Sequence, residues 1–169
     1  MKILVTGVPA TGKTSVSSLL ARRMALEWKE INDVLLEKSF YLGYDHQRES
    51  YIIDEELTVE YLEKTAAEML GIVLSGPVLP FAPDFFQLIV VLHANPLDLR
   101  KRMLERGYNE RKIKENIDAE LLSVVLGDAM DFFPEVKLLE CNTSELNSEQ
   151  IVEKIMAYLG NHHEIQSNR

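Results

Sequence analysis

Lys2-Ile3-Leu4-Val5-Thr6, followed by Gly7-Val8-Pro9-Ala10-Thr11-Gly12-Lys13-Thr14 and Ser15, is the stretch that decides the fold. Its first part is a short apolar run of strand character, and beyond Lys13 the apolar residues Val16, Leu19, Leu20 and Met24 recur at helical spacing. Between the two, Gly7, Gly12, Lys13 and Thr14 meet the spacing G-x-x-x-x-G-K-[ST]. Glycine lets the backbone turn so that successive N–H groups converge on phosphate oxygens, and Ala10 lies inside that turn. The helix that follows offers its unpaired first amides, those of Thr14 and Ser15 among them, to the same anion. Lys13 supplies a mobile positive charge for the β- and γ-phosphates, and the Thr14 hydroxyl is a candidate ligand for Mg²⁺. A chance glycine-rich turn would not need a strand before it and a helix after it. The expected ligand is a nucleoside triphosphate.

Outward from this loop, strand and helix alternate. Residues 28–31 read as a second strand, and Asn32 and Asp33 as cap-type residues before another helix. Residues 57–70 are amphipathic and stop at Gly71; 72–74 form a short buried strand broken by Ser75-Gly76-Pro77. Residues 88–92 are an uninterrupted apolar run, as in a central parallel strand. The pattern then predicts a helix over 96–106 that opens on Pro96 and stops at Gly107. A long helix over 109–132, a strand over 136–141 and a helix over 148–159 closed by Gly160 complete it. The fold class is therefore α/β, with a five-stranded parallel sheet flanked by helices and its ligand beyond the carboxyl ends of the strands. Residues 1–160 read as one domain and 161–169 as a polar tail that carries His162 and His163.

The chain has 169 residues, enough for one domain with a sizeable core. It has no apolar run of bilayer-spanning length, and no room for a signal peptide before the first strand, so a cytoplasmic location is expected, with the nucleus open in a eukaryotic source. Its single cysteine, Cys141, reads as a buried strand residue, which fits a reducing compartment. A net charge of −9 gives no field that attracts nucleic acid, and no direct nucleic-acid binding is expected. Arg100, Lys101, Arg102, Arg106, Arg111, Lys112 and Lys114 nevertheless crowd one segment, as a solvated helix face or as a clamp for polyphosphate.

No Asn-Lys-x-Asp guanine-reading motif is present, and the chain is short for a motor or transporter, which leaves the small-molecule kinases. The loop 7–14, Gly43-Tyr44-Asp45, Asp54-Glu55 and above all Glu105-Arg106-Gly107-Tyr108-Asn109-Glu110 resemble the adenylate kinase isoenzyme 6 family. The resemblance continues through Glu115-Asn116-Ile117 and Glu120 and covers nearly the whole chain. It implies a P-loop nucleoside-monophosphate kinase fold with a small monophosphate-binding insertion, about 32–53, and a short lid, about 105–115. It implies Mg²⁺-dependent transfer from ATP to AMP giving two ADP, and an additional ATPase activity. It also implies a part in small ribosomal subunit assembly and rRNA maturation through a small-subunit ribosomal protein.

Arg102 and Arg106 are four apart and share one helix face; Arg106 is a forked donor suited to a transferring phosphate, or else a cation favoured by a helix C-terminus. Asp33 is a candidate for the Mg²⁺ shell or the AMP phosphate, with a helix N-cap as the alternative. Tyr44 and Asp45 belong to the acceptor insertion, or to a simple turn. Thr143, just past the last strand, lies where this fold contacts adenine through backbone atoms, so little is expected of its side chain. The chain departs from the family pattern at one point. The family carries Asp at the end of the third strand, followed two residues later by His; here Ser75 and Pro77 stand in those places, and serine supplies no charge.

Overall fold

The computed structural model describes residues 1–167, without the side chains of 161–167. Strands β1 (Lys2–Thr6), β2 (Glu27–Glu30), β5 (Ile72–Ser75), β6 (Leu88–His93) and β7 (Lys137–Asn142) form one parallel sheet in the order β2-β5-β1-β6-β7. Strands alternate their side chains between faces, and the buried residues divide accordingly. Ile3, Val5, Val73, Leu88, Val90 and Leu92 pack with Val16 and Leu20 of helix α1 (Lys13–Met24) and Ile151 and Ile155 of α7 (Ser148–Ser167). Leu4, Ile72, Leu74, Ile89 and Val91 face the opposite way, onto α2 (Ile31–Lys38), α3 (Glu55–Ala67) and α6 (Val124–Phe132). Each such side chain contributes roughly 1.5–3 kcal/mol by leaving water, so the sheet is fixed from both faces.

A third apolar cluster matters more for the site. Val8 and Ala10 of the loop pack with Ala94, with Leu99 and Met103 of α4 (Pro96–Glu105) and with Ile113 of α5 (Glu110–Leu121). The segment between α4 and α5 is thereby clamped over the loop. α4 starts on a proline and ends with Arg106 as its C-cap and Gly107 at φ 75°, as the sequence predicts.

The structure differs from expectation at four points. Strands β3 (Tyr41–Asp45) and β4 (Ser50–Ile53) pair antiparallel in a separate two-stranded sheet, where the sequence offered an acceptor insertion or a simple turn and no strands were expected. The expected helix over 109–132 is two helices, because Ser123 adopts φ 51° and caps α6 from the left-handed region. α2 begins at Ile31 with Glu30 as N-cap, so neither Asn32 nor Asp33 is the cap. α7 runs through Gly160 to Ser167, since an interior glycine costs a helix only about 1 kcal/mol and no proline follows. His162 and His163 lie outside the residues whose side chains are described. No helix among the described residues is long and apolar enough to cross a membrane. Cys141 is buried in β7 as expected, and burial pushes its thiol pKa up.

Candidate functional site

The loop leaves the carboxyl end of β1 and enters α1 without a side-chain cap, so the helix's first amides are left for an anion. Gly7 has φ 144° and Gly12 φ 92°; a Cβ at Gly7 would also collide with the Leu92 carbonyl and stand 2.8 Å from Thr11 Oγ1. The Thr11 hydroxyl closes the turn by donating to the Val8 carbonyl at 2.8 Å. Lys13 Nζ donates to the Gly7 and Val8 carbonyls at 2.9 and 3.1 Å. Burial lowers the Lys13 pKa to about 8, against an upward pull from Glu30, and the nearby Arg106 charge lowers it further. Thr14 and Ser15 are exposed at the mouth of the cradle.

Beside Thr14 stands a carboxylate that the sequence did not single out. Glu30, the last residue of β2, accepts through Oε2 from Thr14 Oγ1 at 3.2 Å and from Ser75 Oγ at 2.8 Å. Ser75 is buried, pairs with Glu30 in register and itself accepts from Trp28 Nε1 at 2.9 Å. The Glu30 oxygen that accepts the Thr14 proton is thus held by a second donor, Ser75. Because that proton points at Glu30, the Thr14 oxygen keeps its lone pairs for a cation.

One cavity of about 360 Å³ opens on the Gly7, Pro9 and Lys13 side of the loop, walled by Leu35, Leu36, Tyr51, Ile53 and Pro77 with Asn32 and Ser50 as polar groups. A second, of about 270 Å³, opens on the Ala10, Thr11, Gly12 and Ser15 side, against Arg102, Arg106 and Thr143. A larger apolar cavity of about 480 Å³ lies at the amino ends of the strands, lined by Met1, Gln87 and Val136, far from any phosphate-binding element. The smaller two are the cavities that the loop lines.

Arg102 and Arg106 both line the second cavity. Arg102 is tied down: Nη1 donates to the Ala10 carbonyl at 3.3 Å and to Thr143 Oγ1 at 3.0 Å, and Nη2 to the Thr143 carbonyl at 3.1 Å. The Thr143 side chain is therefore used, contrary to expectation, and it also donates to the His93 carbonyl at 3.1 Å. Arg106 is exposed, at the C-cap position that the dipole favours in any case. On the other side, Asp45 Oδ1 accepts from the Gln47 and Arg48 amides and shapes the β3–β4 turn; these bonds, that to Arg48 first, lower its pKa. Tyr44 packs edge-on against Tyr51, 5.1 Å between ring centroids, and Tyr51 rather than Tyr44 lines the cavity. Asp33 is exposed on the first turn of α2.

Glu30 and Tyr51 are the two site residues the sequence reading missed. Glu30 sits in a mostly charged tetrapeptide, Glu27-Trp28-Lys29-Glu30, which reads as a surface strand. Only the absence of a carboxylate at Ser75 could have prompted a search for one nearby. Among the described residues no three His, Cys, Asp or Glu side chains converge on a metal site. A hydroxyl and a carboxylate, both hard oxygen donors, nevertheless suit Mg²⁺, which takes its remaining oxygens from substrate phosphates and water.

The family model described as "AAA domain" matches residues 3–123. A protein of Saccharolobus islandicus named "Putative adenylate kinase" is 35% identical over 156 residues, which cover 92% of this chain and 82% of that one. A protein of the same name from Methanococcus maripaludis is 35% identical, over 94% and 88% of the two chains. Among solved structures, a shikimate kinase from Acinetobacter baumannii has a TM-score of 0.65 at 14% identity, covering 95% of this chain and 93% of that chain. The YorR protein of Bacillus subtilis, in complex with phosphorylated GDP, has a TM-score of 0.63 at 16% identity and covers 97% and 98%. At such identities the structures establish the P-loop kinase fold alone. The archaeal relatives establish more: this chain belongs to their adenylate kinase family and is an enzyme of the nucleoside-monophosphate kinase class.

Proposed function

We propose that the protein transfers the terminal phosphoryl group of ATP to AMP, giving two ADP. The observation that carries this reading is a single phosphate loop with a cavity on each side of it. A hydrolase needs one nucleotide site, whereas a kinase needs two that share one phosphate position. The donor's phosphates lie in the cradle of Gly7, Ala10, Gly12, Thr14 and Ser15, with Lys13, Arg102 and Arg106 as the cations. Phosphoryl transfer needs positioning and charge neutralisation, not a protein nucleophile. An AMP phosphate oxygen forms the new bond to the γ-phosphorus, the bond from that phosphorus to the β,γ-bridging oxygen breaks, and the ADP oxygen keeps the electron pair. Lys13 lies on the acceptor-side wall and follows the migrating phosphate, and Arg106 adds a forked donor.

Thr14 would hold Mg²⁺ through its hydroxyl oxygen, and the ion would supply charge neutralisation to the phosphates. On the acceptor side, Tyr51, Ile53, Leu35 and Leu36 offer an apolar wall for a base, and Tyr44 buttresses Tyr51. Asn32 and Ser50 supply polar contacts there, while Asp45 keeps the hairpin in shape and Asp33 flanks the entrance. The insertion over 32–53 and the lid over 105–115 close on each other. Asn109 Nδ2 donates to Glu49 Oε2 at 2.7 Å, Arg111 to Gln47 at 3.1 Å and Lys112 Nζ to the Glu49 carbonyl at 3.1 Å. Such closure keeps water from the migrating phosphate.

The test is an acceptor screen with ATP against AMP, CMP, UMP, dTMP, shikimate and gluconate. AMP is expected to give ADP fastest, and Lys13→Ala to reduce the rate to background. Faster phosphorylation of an acid or sugar acid would overturn the AMP reading. ATP hydrolysis with no acceptor measures the additional ATPase activity. A role in small-subunit assembly is a second reading; the net charge of −9, complementary to a basic ribosomal protein, is what favours it. Salt-sensitive binding of such a protein is its expected outcome, and no binding at low salt removes it.

A further inference from the structure

The family pattern leaves a charge missing at Ser75, and the sheet shows where one has been placed. β2 and β5 are adjacent parallel strands, and their last residues, Glu30 and Ser75, are partners in register. A side chain that ends either strand therefore reaches the same point above the sheet, next to the first turn of α1. We propose that Glu30 is the carboxylate that orders the Mg²⁺ ion of the nucleotide complex, moved one strand sideways from the position Ser75 now occupies.

Three features of the site carry this. Glu30 Oε2 receives the Thr14 hydroxyl proton, which leaves the threonine oxygen's lone pairs turned away from the carboxylate. Ser75 has become a support: it takes the Trp28 N–H and passes its own proton to the same Glu30 oxygen, fixing the carboxylate from behind. Glu30 Oε1 makes no hydrogen bond within the described residues, so one oxygen of a rigidly held carboxylate remains for the ion or for a water of its shell. Asp33, the other acidic candidate, is three residues further on, exposed on the first turn of α2, and makes no hydrogen bond or ion pair to the loop among the described residues. The inference rests on the donor half of the kinase reading only; it is indifferent to which acceptor is used.

Mn²⁺ titration followed by electron paramagnetic resonance, on the protein saturated with a non-hydrolysable ATP analogue, tests it. Nucleotide affinity without metal is measured alongside. Glu30→Gln is expected to weaken Mn²⁺ binding in the ternary complex roughly tenfold or more, the range seen when a metal site loses a supporting carboxylate. Metal-free nucleotide should bind that variant as tightly as the native protein or tighter, because a negative charge beside the phosphates is gone. Asp33→Asn should leave Mn²⁺ affinity unchanged. In the double variant Glu30→Ser with Ser75→Asp, the charge returns to β5, and Mn²⁺ affinity should recover over Glu30→Gln. Unchanged Mn²⁺ affinity in Glu30→Gln, or a loss in Asp33→Asn instead, overturns the proposal. So does equal loss of nucleotide with and without metal, which would mean damage to the loop, or a folded double variant no tighter than Glu30→Gln. Absence of nucleotide binding by the native protein would defeat the donor-site reading itself, an outcome read separately in the metal-free arm.

Discussion

Lys13 donates to two loop carbonyls in a site that buries its ammonium, and burial first of all holds its pKa at about 8 against the ordinary 10.5. The unfolded chain therefore binds more protons than the folded one between those two values, so folding stability rises with pH through that window. Below pH 8 the penalty is fully present, at about 3 kcal/mol from the size of the shift. The stability of wild type relative to Lys13→Met should thus improve by about 3 kcal/mol between pH 7 and pH 10.5. Urea unfolding of both proteins across that range checks it; a difference that stays flat would mean that burial does not lower the Lys13 pKa. The same residue shows what a sequence can convey about a site. Gly7, Gly12, Lys13 and Thr14 were legible because a backbone cradle needs fixed spacing along the chain. Glu30 was not, because its partners Thr14 and Ser75 reach it only through strand pairing across the sheet.

Helix α5 shows one side chain serving two elements. Asn109 Oδ1 caps the helix by accepting from the Lys112 amide at 2.8 Å, while its Nδ2 holds Glu49 at the tip of the β3–β4 hairpin. Exposed links such as Arg111–Gln47 and Arg48–Glu115 are individually weak, so the capped helix end is the fixed point to which the hairpin is attached. Asn109→Ala should cost about 1 kcal/mol, the usual value of a lost cap. Asn109→Asp keeps the cap but sets a carboxylate against Glu49, so its stability should stay within about 0.5 kcal/mol of wild type while the hairpin loosens. Thermal unfolding together with amide exchange over residues 45–53 separates the two. Faster exchange in Ala alone, or equal destabilisation by both, would contradict the double role. At this scale the five parallel strands were legible, the central ones β1, β5 and β6 most plainly, since strands covered on both faces are continuous apolar runs. The hairpin was hidden because both of its faces are largely exposed and no period-two burial marks it. The break between α5 and α6 was hidden because Ser123 takes the left-handed conformation with no glycine or proline to announce it.

Across the whole molecule, the sheet delivers every element of the site to one end. The loop follows β1, Glu30 and Ser75 end β2 and β5, and Thr143 follows β7. A chain of net charge −9 thereby gathers Lys13, Arg102 and Arg106 on the two sides of the loop, a local positive field that opposes the overall one. The architecture makes a prediction that no single residue can. If the cavities on the two sides of the loop are halves of one site, a ligand of two adenosines joined by five phosphates spans both. It should then bind at least about tenfold more tightly than ADP, which is about 1.4 kcal/mol of additional stabilisation at equal concentration. For a chain of this length that is a further rise in Tm of about 3–6 °C over ADP alone. Thermal melts with each ligand, with and without Mg²⁺, measure the difference. A shift no larger than that of ADP would mean that the cavity walled by Tyr51 and Ile53 does not take a nucleoside, while the donor cradle around Lys13 would stand.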